Sequence, residues 1–164
     1  MMIRVGQGYD SHQYVEGQPF YLGGVRLPTS YGPKGHSDGD PLLHAIIDAL
    51  LGAIGSGDIG THFPPEDPGL AGISSVQMLR FTLHEVEKAG YALVNVDTTI
   101  LAEKPKLFDH KLRIRDNIAM LLGLEPRSVA VKAKTNEKMG FIGRGEGIAI
   151  LATVLLQQKT EAKP

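Results

Sequence analysis

The stretch GHSDGDPLLHAIIDALLGAIGSGDIG, residues 35–60, decides how the rest of the chain is read. Asp40 has the chemistry of an N-cap, Pro41 suits the first helical position, and an apolar face follows through Leu43, Ile46, Ile47, Leu50 and Ile54. These signals predict a helix from Asp40 to about Ile54. Polar residues crowd the preceding loop and the first turn, while His44 and Asp48 stand one turn apart on a helix that is otherwise mostly apolar. A lone His on such a helix is commonly a core or surface residue, and Asp48 suits a surface salt bridge as well as it suits orienting a ligating imidazole. A second polar cluster is needed to choose.

That cluster lies near the start, in GQGYDSHQY, residues 6–14. If the extended segment continues, Asp10 and His12 point the same way, because side chains in a strand repeat every two residues. The competing reading is an Asp10–Ser11 turn with His12 exposed beside it. Added to His44, the pair makes two imidazoles and one carboxylate. That donor set suits catalytic zinc, which keeps a position open for substrate or water, whereas structural zinc is normally closed by four protein ligands.

Further out, MIRVGQG and PFYLGGVRL read as strands, the second with a bend or bulge at Gly23-Gly24. A helix is expected from about Ser74 to Ala89, with Val76, Leu79, Leu83 and Val86 at helical spacing and Gly90 as its stop. YALVNVDTTILAE reads as a long strand, and a third helix covers roughly Phe108 to Leu122, closed by Gly123. SVAVKAKT and EGIAILATVLLQQ complete the strands around a glycine-rich connection. The resulting order, β-β-α-α-β-α-β-β, predicts an α+β fold with one mixed sheet layered with about three helices. Residues 1–158 read as one domain and residues 159–164 as a frayed tail. GRGEG is not a dinucleotide fingerprint, because its glycine spacing is wrong and no strand-loop-helix unit surrounds it.

A chain of 164 residues, 42% hydrophobic and 21% charged, is long enough for a sizeable core and too apolar for disorder. A formal net charge of -1 gives no reason to expect nucleic acid or an acidic membrane. The absence of cysteine removes disulfides, thiol catalysis and thiolate metal sites, so any zinc here needs His and carboxylate. MMIRVGQGYD has no apolar secretory core and no apolar run approaches a membrane span, which places the expected location in the cytoplasm.

Taken in order, GYDSHQY, HSDGDPLLHAIIDALLGAIGSGDIG, AEKPKL and NEKMGFIGRGEGIA resemble the marks of the 2-C-methyl-D-erythritol 2,4-cyclodiphosphate synthase family along essentially the whole chain. The resemblance implies a homotrimer around a central β-lined axis, with active sites between subunits. It implies zinc on Asp10, His12 and His44, and a second divalent cation, Mg2+ or Mn2+, contacted by Glu137. His36 and Thr135 are the implied transition-state residues, with Ser37 beside His36 orienting substrate. Asp58, Ile59 and Gly60 match contacts near the ribose, and Phe63, Pro64, Pro65, Glu66 and Asp67 match a flexible segment over the methylerythritol part. Ala102, Glu103, Lys104, Pro105, Lys106, Leu107 and Phe108 match a cytosine cradle. Thr135 matches a phosphate contact, and Lys134, Asn136 and Glu137 lie with it in the implied substrate-binding stretch. Phe141 and Arg144 match residues at the trimer axis, where the resemblance leaves room for an isoprenoid diphosphate. Bland readings stand beside these: a plain loop His, a solvated Lys104 and Lys106, and trimer packing for Phe141 and Arg144.

The implied reaction is intramolecular phosphoryl transfer on a cytidine diphosphate substrate of the non-mevalonate isoprenoid pathway. A zinc-dependent phosphohydrolase and a non-catalytic zinc-binding trimer are the alternatives. Two positions depart from the resemblance: Lys134 stands where many relatives have Thr, and Pro65 where many have Asp.

Overall fold

The computed structural model describes residues 2–35, 37–70 and 72–159. The first strand is far longer than its sequence signal. β1 spans Ile3–Glu16, followed by β2 (Phe20–Leu22), β3 (Val25–Leu27) and β4 (Tyr31–Pro33). α1 (Pro41–Ile54) and the one-turn α2 (Ile59–His62) precede α3 (Ser75–Lys88) and β5 (Tyr91–Leu101). α4 (Lys111–Leu122), β6 (Val129–Lys134), the one-turn α5 (Gly140–Gly143) and β7 (Gly147–Gln158) complete the order. The α+β class therefore holds. Two one-turn helices and a separate β2-β3 hairpin add to the single sheet and three helices expected from sequence.

The main sheet runs β4-β1-β7-β5-β6. β1 pairs antiparallel with β7 from Ile3↔Gln157 to Gln13↔Gly147, then with β4 from Tyr14 to Glu16. This unbroken pairing carries the strand through Asp10 and Ser11, where turn-forming residues alone favoured a stop. β5 pairs antiparallel with β7 and parallel with β6, the latter connection crossing through α4.

Expected as a bend, Gly23-Gly24 is instead the turn of a hairpin. Both residues take left-handed φ angles, 62° and 75°, as a two-residue turn between right-twisting strands requires. Their backbone N–H groups donate to the buried Asp40 carboxylate at 2.9 and 2.6 Å, and the same side chain accepts from Leu42 and Leu43 at 3.1 Å each. The N-cap read from sequence is thus also the anchor of the hairpin.

α1 is apolar nearly all round because it is enclosed nearly all round; only Asp48, Gly52 and Ile54 escape full burial. It lies across β1 at unusually close range. A Cβ on Gly6 would fall 1.8 Å from the Ala49 carbonyl oxygen, and one on Gly8 2.0 Å from that of Ala45. Glycines two apart on the strand therefore meet alanines four apart on the helix, and this close approach sets how far His44 stands from Asp10 and His12. The helix ends on Gly55 at φ 71°, with Ser56 N–H bonded to the Leu51 carbonyl at 2.9 Å.

α3 starts at a Ser74/Gln77 capping box and stops before Gly90, as its sequence predicts. α4 begins at Lys111 rather than Phe108, because His110 and Lys111 first close a turn on the Leu107 carbonyl, both at 3.0 Å. On the sheet face away from α1, Ile3, Val5 and Tyr9 are exposed, and Tyr9 and Val5 pair across the strands with Leu151 and Leu155. Lys159, expected to fray, donates its N–H to the Gly90 carbonyl at 2.8 Å; residues 160–164 lie outside the described residues. No helix among the described residues is long and apolar enough to cross a membrane.

Candidate metal centre and substrate site

Asp10 and His12 project from the same face of β1 toward α1, where His44 occupies the first turn. One ligand atom from each of the three lies within 4.8 Å of the others. The Asp10 carboxylate is central, with Oδ2 at 2.8 Å from His12 Nε2 and 3.1 Å from His44 Nδ1. His12 Nδ1 meets the Lys34 carbonyl oxygen, which can only accept. That nitrogen therefore carries a proton, and Nε2 is the nitrogen turned to the cluster.

Burial alone would raise the Asp10 carboxyl, but hydrogen bonds from His12 and His44, helped by their charge, bring it down to about 2. For His12 burial disfavours the cation, yet the hydrogen bond and charge of Asp10 outweigh it and raise the imidazole above its ordinary value. An ionised carboxylate between two imidazoles, converging from two regular elements, fits a divalent cation by donor chemistry and spacing.

Asp48 does not orient His44. Its Oδ1 accepts from Ile59 N–H at 2.7 Å and ties α2 to α1. The hydroxyls of Ser75 and Ser37 instead lie 2.9 and 3.2 Å from His44 Nε2. Ser75 belongs to α3, and no local pattern links it to a histidine 31 residues away.

The cluster forms one end of a cavity of about 540 Å³ whose wall includes Lys34, Gly35, Ser37, Ile59, Gly60, Phe63, Pro64, Pro65 and Asp67. Asp58 and Glu66 lie off this wall. Asp58 caps α2, accepting from Thr61 N–H at 2.8 Å and Thr61 Oγ1 at 2.7 Å. Pro65 stands at the second position of a turn closed by Asp67 N–H on the Pro64 carbonyl at 3.1 Å, where its fixed φ is preferred. His36 lies outside the described residues.

Most of the remaining candidate residues gather elsewhere, while Phe141 lines a cavity of about 240 Å³ with His12 and Glu146. A smaller cavity of about 170 Å³ is lined by Ala102, Glu103, Pro105, Lys106, Leu107, Phe108, Lys134 and Thr135, together with Lys111 and Ala133. Glu103 Oε1 accepts from Asn136 N–H at 3.1 Å and Lys138 N–H at 3.0 Å, so the 102–108 segment and the turn after β6 are held together. Glu137 and Lys138 both take left-handed φ angles, 50° and 63°, a strained pair for residues with side chains. Thr135 Oγ1 donates to Glu137 Oε1 at 2.7 Å.

Lys104 is docked rather than free. Its Nζ lies 4.7 Å from the centre of the Tyr31 ring, and its carbonyl accepts from the Tyr14 hydroxyl at 2.6 Å. Phe141 is partly exposed on α5, and Arg144 Nε donates to Glu146 at 2.7 Å.

A His-His-Asp cluster set between sheet and helix at the wall of a cavity defines the class: an α+β protein with a candidate divalent-cation site beside a ligand pocket. The YgbB family profile matches residues 3–157, and the chain belongs to that family. A 2-C-methyl-D-erythritol 2,4-cyclodiphosphate synthase of Ralstonia pickettii is 53% identical over 163 residues, covering 99% of this chain and 97% of that one. The synthase of the same name from Geobacillus kaustophilus is 54% identical over 157 residues, covering 96% and 99%. Among solved structures, IspF of Plasmodium falciparum in its CDP complex matches with a TM-score of 0.84 at 38% identity, over 96% of this chain and 97% of that one. The bifunctional IspDF of Campylobacter jejuni matches with a TM-score of 0.92 at 42% identity; 96% of this chain aligns with 42% of that one.

Proposed function

We propose that this chain converts 4-diphosphocytidyl-2-C-methyl-D-erythritol 2-phosphate to 2-C-methyl-D-erythritol 2,4-cyclodiphosphate with release of CMP, in the non-mevalonate isoprenoid pathway. The observation that carries this reading is the convergence of Asp10, His12 and His44 on one cavity in a chain about half identical to the named synthases along nearly its whole length.

The 2-phosphate oxygen attacks the β-phosphorus, a new phosphorus–oxygen bond closes the eight-membered ring, and the bond to the α-phosphate oxygen breaks with its electron pair leaving on CMP. Nucleophile and electrophile share one molecule, so the protein needs no nucleophile of its own. Its work is to fold the substrate into a reactive shape and to balance negative charge. Asp10, His12 and His44 would hold zinc, which when bound supplies a Lewis acid for phosphate oxygen. Glu137 would contact a magnesium or manganese ion. His36 and Thr135 donate to charge developing at the phosphates. Ser37, the Asp58–Gly60 stretch and the Phe63–Asp67 turn position the ribose and methylerythritol parts. The 102–108 segment cradles cytosine, with Lys106 and Lys134 as its nearby cations, and Phe141 and Arg144 belong to the axis.

A homotrimer with shared sites completes this reading. Two features support it: the open apolar sheet face around Val5, Tyr9 and Leu151, and the division of the site between two cavities that share no lining residue. Residues 1–158 form one domain in this reading, and it works in the cytoplasm.

Product analysis tests the chemistry: cyclic diphosphate plus CMP is expected, and release of inorganic phosphate would overturn it. Subunit exchange tests the assembly. Mixing inactive His44→Ala with inactive Glu137→Ala should restore about a quarter of wild-type sites after random reassembly. A verified exchange that restores nothing places both halves in one chain.

A further inference from the structure

We propose that Ser75 and Asp38 are positioning residues for His44, forming a hydroxyl–carboxylate relay that fixes its tautomer and aims Nδ1 at the metal. This rests on the metal reading above.

Counting protons carries the inference. Asp38 Oδ1 is within short hydrogen-bonding reach of Ser75 Oγ, and Asp38 Oδ2 accepts from Ser75 N–H at 3.1 Å. As an acceptor, the carboxylate takes the single hydroxyl proton of Ser75. Ser75 Oγ then has only lone pairs to offer His44 Nε2, 2.9 Å away. This nearer partner therefore calls for the ring proton on Nε2. Where a metal takes the place of the proton between His44 and Asp10, this would leave the lone pair on Nδ1, the nitrogen that faces Asp10 Oδ2 at 3.1 Å. His12 receives the mirror arrangement from the Lys34 carbonyl, so its free nitrogen is Nε2. The two imidazoles are thus set to offer a metal opposite ring nitrogens, His12 Nε2 and His44 Nδ1, at the same point.

Ser75 is fully buried and its hydroxyl spans the gap between α1 and the loop before it. Ser37 Oγ accepts from Gly39 N–H at 3.1 Å and keeps its own proton, but at 3.2 Å from the same nitrogen it is the longer contact of the two. The backbone bond from Ser75 to Asp38 gives a way to separate the relay from simple stapling. Ser75→Ala removes the hydroxyl and keeps that backbone bond, whereas Asp38→Asn keeps the shape and weakens the acceptor.

The test is zinc affinity by chelator competition on the full chain, with thermal unfolding of the metal-free proteins and long-range 1H–15N NMR of the histidine rings. Ser75→Ala should lower zinc affinity about 10- to 100-fold, the range for loss of a ligand's outer partner, with little change in metal-free Tm. Asp38→Asn should shift affinity the same way by less, and Ser37→Ala should have the smallest effect. The zinc-loaded parent should show His44 protonated at Nε2. Zinc affinity of Ser75→Ala within twofold of the parent, or His44 protonated at Nδ1, overturns the relay while leaving the metal reading intact. A parent that binds zinc no better than His44→Ala overturns both.

Discussion

The two halves of the candidate site are built by opposite means. Asp10, His12 and His44 stand on a fourteen-residue strand and a buried helix pressed together through Gly6 and Gly8. The second half, residues 102–108 and 135–144, is mostly exposed connection, held by one glutamate, a lysine resting on a tyrosine ring, and two residues at left-handed φ. On the proposed function, the difference follows from what each half would hold. A small cation requires ligand atoms fixed to a few tenths of an ångström, which packed backbone supplies. A flexible nucleotide tolerates, and benefits from, segments that adjust on binding.

The largest effect is expected from wedging the rigid half apart. Gly8→Val would push a side chain into the Ala45 carbonyl, and overpacking of this kind should cost about 3 kcal/mol or more, a Tm loss of roughly 6–12 °C. Zinc binding should fall with it, and an unchanged Tm with zinc retained would refute the close-contact account. Next in size of structural effect is His44→Ala. Bound zinc should drop from about one per chain to near none and CMP release by about 10²-fold or more, while the metal-free fold survives. Metal analysis alongside circular dichroism decides it.

The looser half should respond in binding rather than in metal content. Glu103→Ala removes the acceptor for two backbone N–H groups beside a strained turn. CDP affinity should weaken about tenfold, equivalent to about 1.4 kcal/mol, with zinc stoichiometry unchanged. Loss of zinc in this variant would mean that the halves are not independent. Smallest of all, Tyr31→Leu removes the ring under Lys104 and should weaken CDP about two- to fivefold, an exposed cation–π contact of about 0.5–1 kcal/mol. Calorimetric titration resolves a change of that size.

What the sequence could not convey is clearest where its signals were shared between different structures. Gly23-Gly24 suits a bulge as well as a hairpin turn, and only the buried Asp40 carboxylate accepting from both N–H groups decides between them. Asp10-Ser11 suits a turn, but eleven consecutive pairings with β7 hold it extended. Asp48, one turn from His44, had the better local claim to its imidazole, yet its carboxylate accepts from Ile59 N–H and reaches α2 instead.

α1 and its N-cap are legible in the chain alone, because they are local contests between backbone groups and neighbouring side chains. The sequence also determined the donor set for a metal, since an Asp-x-His pair and a His in an apolar helix carry their chemistry wherever they lie. Long-range packing settled that these donors meet, that Ser75 and not Asp48 stands behind His44, and that Glu103 holds the turn at Glu137. Each of those contacts joins residues 31 or more positions apart, and such partners are chosen by how sheet and helices pack, which no local spacing encodes.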